Sequence, residues 1–285
     1  MEKINNLETK DFYKFLAPAK INIFLKVLSR RADDYHNIQS VFQLIDLFDE
    51  LYFRPRQDTK IVLQDAGNIK NNLIMHAAKK ILNNTSYGVD IILKKNIPIG
   101  AGLGGGSSNA ALTLMALNKL FKLNLSQKEL MGIALEIGAD VPFFIYGKNA
   151  WAEGIGNIFT PIEIANNSYL LATTELNIST KKIFQAFKLT KESIPMKIAT
   201  SLDDNLYHLS QNDLQTVCFD LYPEMRETYE WMSQFGQIKM TGSGSVLFCK
   251  LDENQKLALK TVRKPAKITL FMVRGLSIHP FYAID

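Results

Sequence analysis

The chain has 285 residues, 47% of them hydrophobic and 21% charged, with a formal net charge of +5. That is ordinary for a folded protein and long enough for one large or two modest domains. No run reaches the ~18 apolar residues a membrane span needs, and the polar opening Met1–Glu8 has no signal-peptide core, so no membrane partner and a cytoplasmic location are expected.

Residues 19–27 alternate with period two and read as a strand. Ile21, Ile23, Leu25 and Val27 take one face and Lys20, Asn22, Phe24 and Lys26 the other, so Lys20 and Asn22 project side by side. Arg30–His36 is a polar turn, and separate strands are expected near Ser40–Asp46 and Glu50–Arg54. Asn72–Leu82 has apolar residues at helical spacing, and Val89–Lys95 is a strand running into a glycine loop. That loop reads Pro98-Ile99-Gly100-Ala101-Gly102-Leu103-Gly104-Gly105-Gly106-Ser107-Ser108-Asn109. Five glycines in so short a stretch cost backbone entropy and supply no core. They suit close approach of backbone to a ligand, and free N–H groups at a helix start suit a phosphate.

The loop lacks the Gly-Lys-Ser/Thr of a Walker A motif. Its Gly-x-Gly-x-x-Gly spacing matches a dinucleotide fingerprint, but Lys119–Ser126 offers none of the acid that fold needs about 20 residues on. A helix is expected to open at Ser107 or Ser108, with Ala110, Leu114, Leu117 and Phe121 on one face. A capping box, Ser126 with Glu129, starts the next helix and Gly138 ends it. Ala139–Phe144 is expected to leave helical geometry because Pro142 disfavours it for the residue before. Strand signals resume over 150–158 and 169–173, followed by a helix over 180–187 and a polar stretch through Asp204. A helix over 222–232, a strand–glycine turn–strand over 238–249, a helix over 253–263 and a strand over 268–273 close the chain. Strands and helices without strict alternation predict an α+β fold in two domains, divided as 1–160 and 161–285. Cys218 and Cys249 stand singly in apolar surroundings and are expected to be reduced and buried.

Lys20, the glycine loop and Asp140 together supply what phosphoryl transfer requires: amides for the donor phosphates, a carboxylate for the acceptor proton, and a cation for developing charge. Taken singly, Asp140 also reads as a helix-exit residue and Lys20 as a surface lysine. Five segments, Ala17–Leu25, Arg30–His36, Pro98–Ala111, Gly138–Phe144 and Met240–Ser245, stand in the order found in the GHMP kinases, and the chain strongly resembles that family. The resemblance implies an N-terminal ribosomal-protein-like α/β domain and a C-terminal ferredoxin-like α+β domain. It also implies ATP-dependent phosphorylation of the tertiary 2-hydroxyl of a cytidyl-linked methylerythritol in the non-mevalonate isoprenoid pathway.

By the same resemblance Asp140 is the general base, Lys20 its electrostatic partner, and Pro98 to Ser108 the ATP-phosphate loop, with Asn72 and Leu73 at the adenine pocket. Magnesium is implied on the donor phosphates; Ser108 is a candidate ligand, and no carboxylate pair is assignable from sequence. Tyr35 and His36 are implied to read the cytosine, Asn22 the erythritol end, and Thr180 and Phe184 to close over the base. A homoserine or mevalonate acceptor would leave Tyr35-His36 without a base to stack on. An RNA-binding reading needs massed Lys/Arg with exposed aromatics, whereas here the basic residues are scattered in pairs such as Lys181-Lys182. A small-molecule partner, no nucleic acid, and a monomer or homodimer are expected. Three departures from the family pattern stand out: Asp34 replaces the usual glycine of the Tyr-His turn, Asn157 replaces an acid, and the N-terminus is about ten residues longer. His76, His208 and His279 match no motif and are expected to be structural.

Overall fold

The computed structural model describes residues 11–65, 71–188, 193–209, 211–259 and 262–283; the polar segment Met1–Glu8 lies outside them. The chain opens with a long hairpin, β1 (Tyr13–Arg30) and β2 (His36–Arg56), followed by β3 (Ile61–Asp65), α1 (Leu73–Ile81) and β4 (Gly88–Lys94). Three helices follow, α2 (Gly105–Leu120), α3 (Gln127–Ile137) and α4 (Val141–Tyr146), then the hairpin β5 (Ala150–Glu153) and β6 (Ile158–Pro161). The remainder is β7 (Ser168–Thr174), α5 (Thr180–Ala186), α6 (Asp204–Leu209), α7 (Gln215–Leu221), α8 (Pro223–Met232), β8 (Lys239–Met240), β9 (Val246–Leu251), α9 (Glu253–Ala258) and β10 (Ile268–Leu276).

The fold is α+β with two domains. In the first, α1 and α2 pack on the sheet of β1 to β4, and α3 and α4 pack on those helices, around a core that includes Phe53, Ile91, Leu114 and Phe143. In the second, α5, α7 and α8 cover β7, β9 and β10 around Leu170, Ile183, Cys218 and Met225. A third cluster, with Ile21, Phe24, Trp151, Tyr169 and Phe248, lies between the two. The last strand joins them: β10 pairs with β7 from Ile268 to Arg274, and then Gly275 and Leu276 pair with Ile45 and Leu44 of β2.

Several expectations change for identifiable reasons. The two strands expected between Ser40 and Arg54 are one, β2, because a register shift between Pro18 and Ala19 takes up the polar interruption instead of ending the strand. A second shift between Asn22 and Phe24 breaks the strict alternation of β1. Phe24 consequently joins the cluster of Ile21 and Ile23, whereas Leu25 comes to the same cleft as Lys20 and Asn22. Helix α2 starts at Gly105, two residues before Ser107, with Gly104 as its left-handed cap. It is buried continuously from Ser108 to Leu117, a stretch that is apolar except for Ser108, Asn109 and Thr113. Residues 141–146 are helical after all, since Pro142 sits in the first turn, where its missing N–H has no intrahelical partner to lose. The helix expected over 253–263 ends at Ala258, and the short α6 and α7 fall below the length at which periodicity is readable. Both cysteines are buried free thiols, and burial pushes each up to about 12.

Candidate active site

A cleft of about 770 Å³ opens between the domains, lined by Lys20 and Asn22 of β1, Tyr35 and His36 at the hairpin turn, Asp140 before α4, and Thr180 and Phe184 of α5. Gly102, Gly104 and Ser107 bring the glycine loop to its wall, and Gly242 and Ser243 contribute from the β8–β9 turn.

At its floor lies Lys20, 3% exposed, with Nζ 5.2 Å from the centre of the Phe42 ring. One of its N–H bonds goes to Asn22 Oδ1 at 2.6 Å. Asp140 Oδ2 lies 3.8 Å from Lys20 Nζ, an ion pair too long for a hydrogen bond. Both groups therefore keep capacity for a third polar atom between them. Burial pushes the Lys20 pKa down, and the Asp140 charge opposes that shift. Asp140 occupies the cap position of α4 yet its side chain makes no capping bond, and the carboxylate is 40% exposed in the cleft. An aspartate that leaves its helix uncapped forgoes about 1 kcal/mol, which is consistent with a use elsewhere.

Asn22 is held in one orientation. Its Nδ2 donates to Ser40 Oγ at 2.9 Å, and Ser40 Oγ donates to the Phe24 carbonyl. Its own N–H donates to Thr241 Oγ1 at 2.9 Å, while Thr241 Oγ1 donates back to Asn22 Oδ1 at 3.2 Å. The amide oxygen is thereby fixed toward Lys20. In the sequence Thr241 falls within the Met240–Ser245 segment with no role of its own and Ser40 only opens an expected strand; their bonds to Asn22 exist only in the folded chain.

The glycine loop is fitted to this floor by close approach. Lys20 N–H donates to Leu103 O at 3.0 Å. A side chain on Gly104 (φ +70°) would begin 2.9 Å from Phe144 Cζ and 3.2 Å from Lys20 Cγ. One on Gly102 (φ +72°) would begin 2.8 Å from Thr241 O and 2.9 Å from Gly244 O. Leu73 packs at the loop's far side, its Cδ1 3.7 Å from the Cβ position on Gly106. Asn72 caps α1 through Oδ1, which accepts from Ile74 N–H. Of the remaining loop residues, Ala101 and Gly105 are buried, Pro98 is half-buried, and Ile99 and Gly100 are exposed. Ser108 Oγ is buried and has no hydrogen-bond partner among the described residues.

At the other end, the His36 and Phe184 rings meet across the cleft, centroids 5.1 Å apart and tilted by 31°. Tyr35 beside them is 54% exposed. Burial, with Arg30 nearby, holds the His36 pKa below its ordinary value, so its imidazole is neutral at neutral pH. Thr180 Oγ1 lies 2.8 Å from Ser243 Oγ, joining α5 to the β8–β9 turn. Asp34 has φ +64°, the conformation a glycine would take freely, and its Oδ1 accepts from Arg30 Nη2 at 2.8 Å. The added acid is thus locally paired.

The family models described as GHMP kinases N terminal domain and GHMP kinases C terminal match residues 72–148 and 196–265. A 4-diphosphocytidyl-2-C-methyl-D-erythritol kinase of Janthinobacterium sp. (strain Marseille) is 39% identical over 274 residues, covering 93% of this chain and 94% of the relative. One from Hahella chejuensis is 37% identical over 277 residues, with 93% of each covered. Among solved structures, a 4-(cytidine 5'-diphospho)-2C-methyl-D-erythritol kinase superposes with a TM-score of 0.77 at 30% identity, covering 92% of this chain and 99% of the other. The Methanococcus jannaschii mevalonate kinase, at 17% identity and a TM-score of 0.69, covers 94% of this chain and 99% of its own, and shares the fold.

Proposed function

This chain belongs to the 4-diphosphocytidyl-2-C-methyl-D-erythritol kinases of the GHMP family, and from that premise we propose how its residues divide the reaction. ATP donates its γ-phosphoryl group to the acceptor's tertiary 2-hydroxyl. The observation that carries the assignment is the 3.8 Å gap between a desolvated Lys20 Nζ and Asp140 Oδ2, beside the glycine loop. A hydroxyl between the two can give its proton to Asp140 while Lys20 stabilises the charge moving onto the transferred group. A tertiary alcohol is crowded, so most of the rate must come from orientation. Asn22, locked by Ser40 and Thr241, supplies that orientation to Lys20 and to the erythritol end.

Residues Pro98 to Ser108 wrap the donor phosphates, which rest on the free backbone N–H groups of the glycine stretch, with Asn72 and Leu73 beside the adenine. Among the described residues no group of three or more His, Cys, Asp or Glu could hold a metal ion. That suits magnesium carried on the phosphates themselves, for which the unpartnered Ser108 Oγ is the fitting protein donor. When bound, the ion neutralises phosphate charge. The exposed Tyr35 ring and Phe184 flank the cytosine and neutral His36 bonds its edge, while Thr180 ties the closing helix to Ser243. The two catalytic domains divide at 160/161, at the last residue of β6, a reading supported by family matches on either side.

ADP release with ATP and magnesium, measured in parallel with the cytidyl compound, homoserine and mevalonate, tests the acceptor. Turnover confined to the cytidyl compound is expected. Turnover on another acceptor would remove Tyr35 and His36 from base reading while leaving Asp140 in place.

A further inference from the structure

Asp49 of β2 is wholly buried and has no part in the phosphoryl transfer described above. It stands just past the residues where β2 shifts register against β1. Its Oδ1 accepts from the backbone N–H of Asn96 and of Ile97, both at 2.8 Å. Its Oδ2 accepts from Lys95 Nζ at 2.7 Å and from Asn109 Nδ2 at 2.9 Å. Lys95 Nζ also donates to the Ile97 carbonyl, and Asn96 Nδ2 to the Phe48 carbonyl at 2.9 Å.

These donors fall into two groups. Residues 95–97 lie immediately before the glycine loop, and Asn109 lies inside α2 just after it. The glycines between have no side chains with which to fix their own place. We propose that Asp49 is a positioning residue for ATP: one buried carboxylate ties the two ends of the phosphate loop together and sets where its amides stand. This rests on reading Pro98 to Ser108 as that loop.

A plainer role, neutralising the half-buried Lys95, accounts for only part of the geometry. An ion pair needs one oxygen, whereas the second oxygen is committed to two backbone N–H groups at the loop's start. A carboxylate with four donors is also the arrangement that loses most when one oxygen becomes an N–H₂ group. In Asp49→Asn the amide oxygen can still serve Asn96 and Ile97, but the amide nitrogen then opposes the Lys95 and Asn109 donors.

The test uses the full-length enzyme. ATP binding is followed by calorimetry without acceptor, and KM for ATP and for acceptor by ADP release. Asp49→Asn should weaken ATP binding at least about tenfold, the scale of one lost charge-assisted bond, while KM for the acceptor stays within about twofold. Combining Asp49→Asn with Asn109→Asp restores a carboxylate–amide pair and should recover part of the ATP affinity. Both KM values rising together, or ATP affinity unchanged, would overturn the proposal. Failure of the unsubstituted enzyme to bind ATP would instead overturn the reading of the loop. If Asp49→Asn does not fold, Asn109→Ala carries the test: it removes one donor from the same carboxylate and must weaken ATP binding selectively, with unchanged binding overturning the clamp.

Discussion

Gly102→Ala places one methyl group where the two domains meet over the cleft. At φ +72° an alanine is in the left-handed region, which costs roughly 1–2 kcal/mol. Its Cβ would start 2.8 Å from Thr241 O and 2.9 Å from Gly244 O, both backbone atoms that cannot swing aside as a side-chain end could. Overpacking of that kind adds about 1–3 kcal/mol, so the loss should total about 2–5 kcal/mol if the loop holds its place. The loop can escape part of this cost only by withdrawing from the Thr241–Gly244 turn. That movement would disturb Thr241 and hence Asn22 and Lys20. Urea unfolding and steady-state kinetics should therefore respond together, with stability lowered and KM for ATP raised at least about tenfold, the equivalent of 1.4 kcal/mol. Gly132→Ala is the matched control: it lies inside α3 with nothing within 4 Å of its Cβ position. It should stabilise the protein by about 0.5–1 kcal/mol and leave ATP kinetics alone. A Gly102→Ala enzyme with native stability and native KM for ATP would refute the reasoning.

Asp140→Asn should retain ATP binding, measured by calorimetry, while kcat falls about 10²-fold or more, the usual contribution of a general base. His36→Ala removes the ring facing Phe184 and should raise KM for the acceptor with little change in KM for ATP, both read from ADP release. His279 is buried with its Nε2 unpartnered among the described residues, and burial pushes its pKa down to about 3. The unfolded chain protonates this ring near pH 6.5 and the folded chain does not, so stability falls as pH drops through that window, by about 1.4 kcal/mol per unit. His279→Asn, which cannot titrate, should show a shallower loss between pH 6 and 4 in urea midpoints; parallel curves would exclude the residue as a source of acid sensitivity.

The candidate site was legible in the sequence wherever its chemistry rests on local pattern. Alternation alone put Lys20 and Asn22 on one face, and the density of glycines marked the loop. The same reading failed at Leu25, because a register shift in β1 depends on the partner strand and leaves no trace in the strand's own residues. It failed at α4 because the rule for residues before proline is a bias that the first turn of a helix relaxes. It also passed over the supporting residues. Thr241 bonds Asn22 across 219 positions, and Asp49 bonds Asn96 across 47, so no local window contains either pair.

By itself the sequence determined the residue types that do chemistry and the short-range geometry around two of them: a lysine beside an asparagine, and free amides in a glycine loop; that Asp140 opens a helix rather than leaving one came from the structure. Only the tertiary structure decided their distances, the burial that lowers the Lys20 pKa, and the meeting of His36 with Phe184 across two domains. Periodicity and capping act over a few residues along the chain. Desolvation and hydrogen-bond pairing depend on whatever surrounds an atom in space, which here comes from strands, helices and turns far apart along the chain.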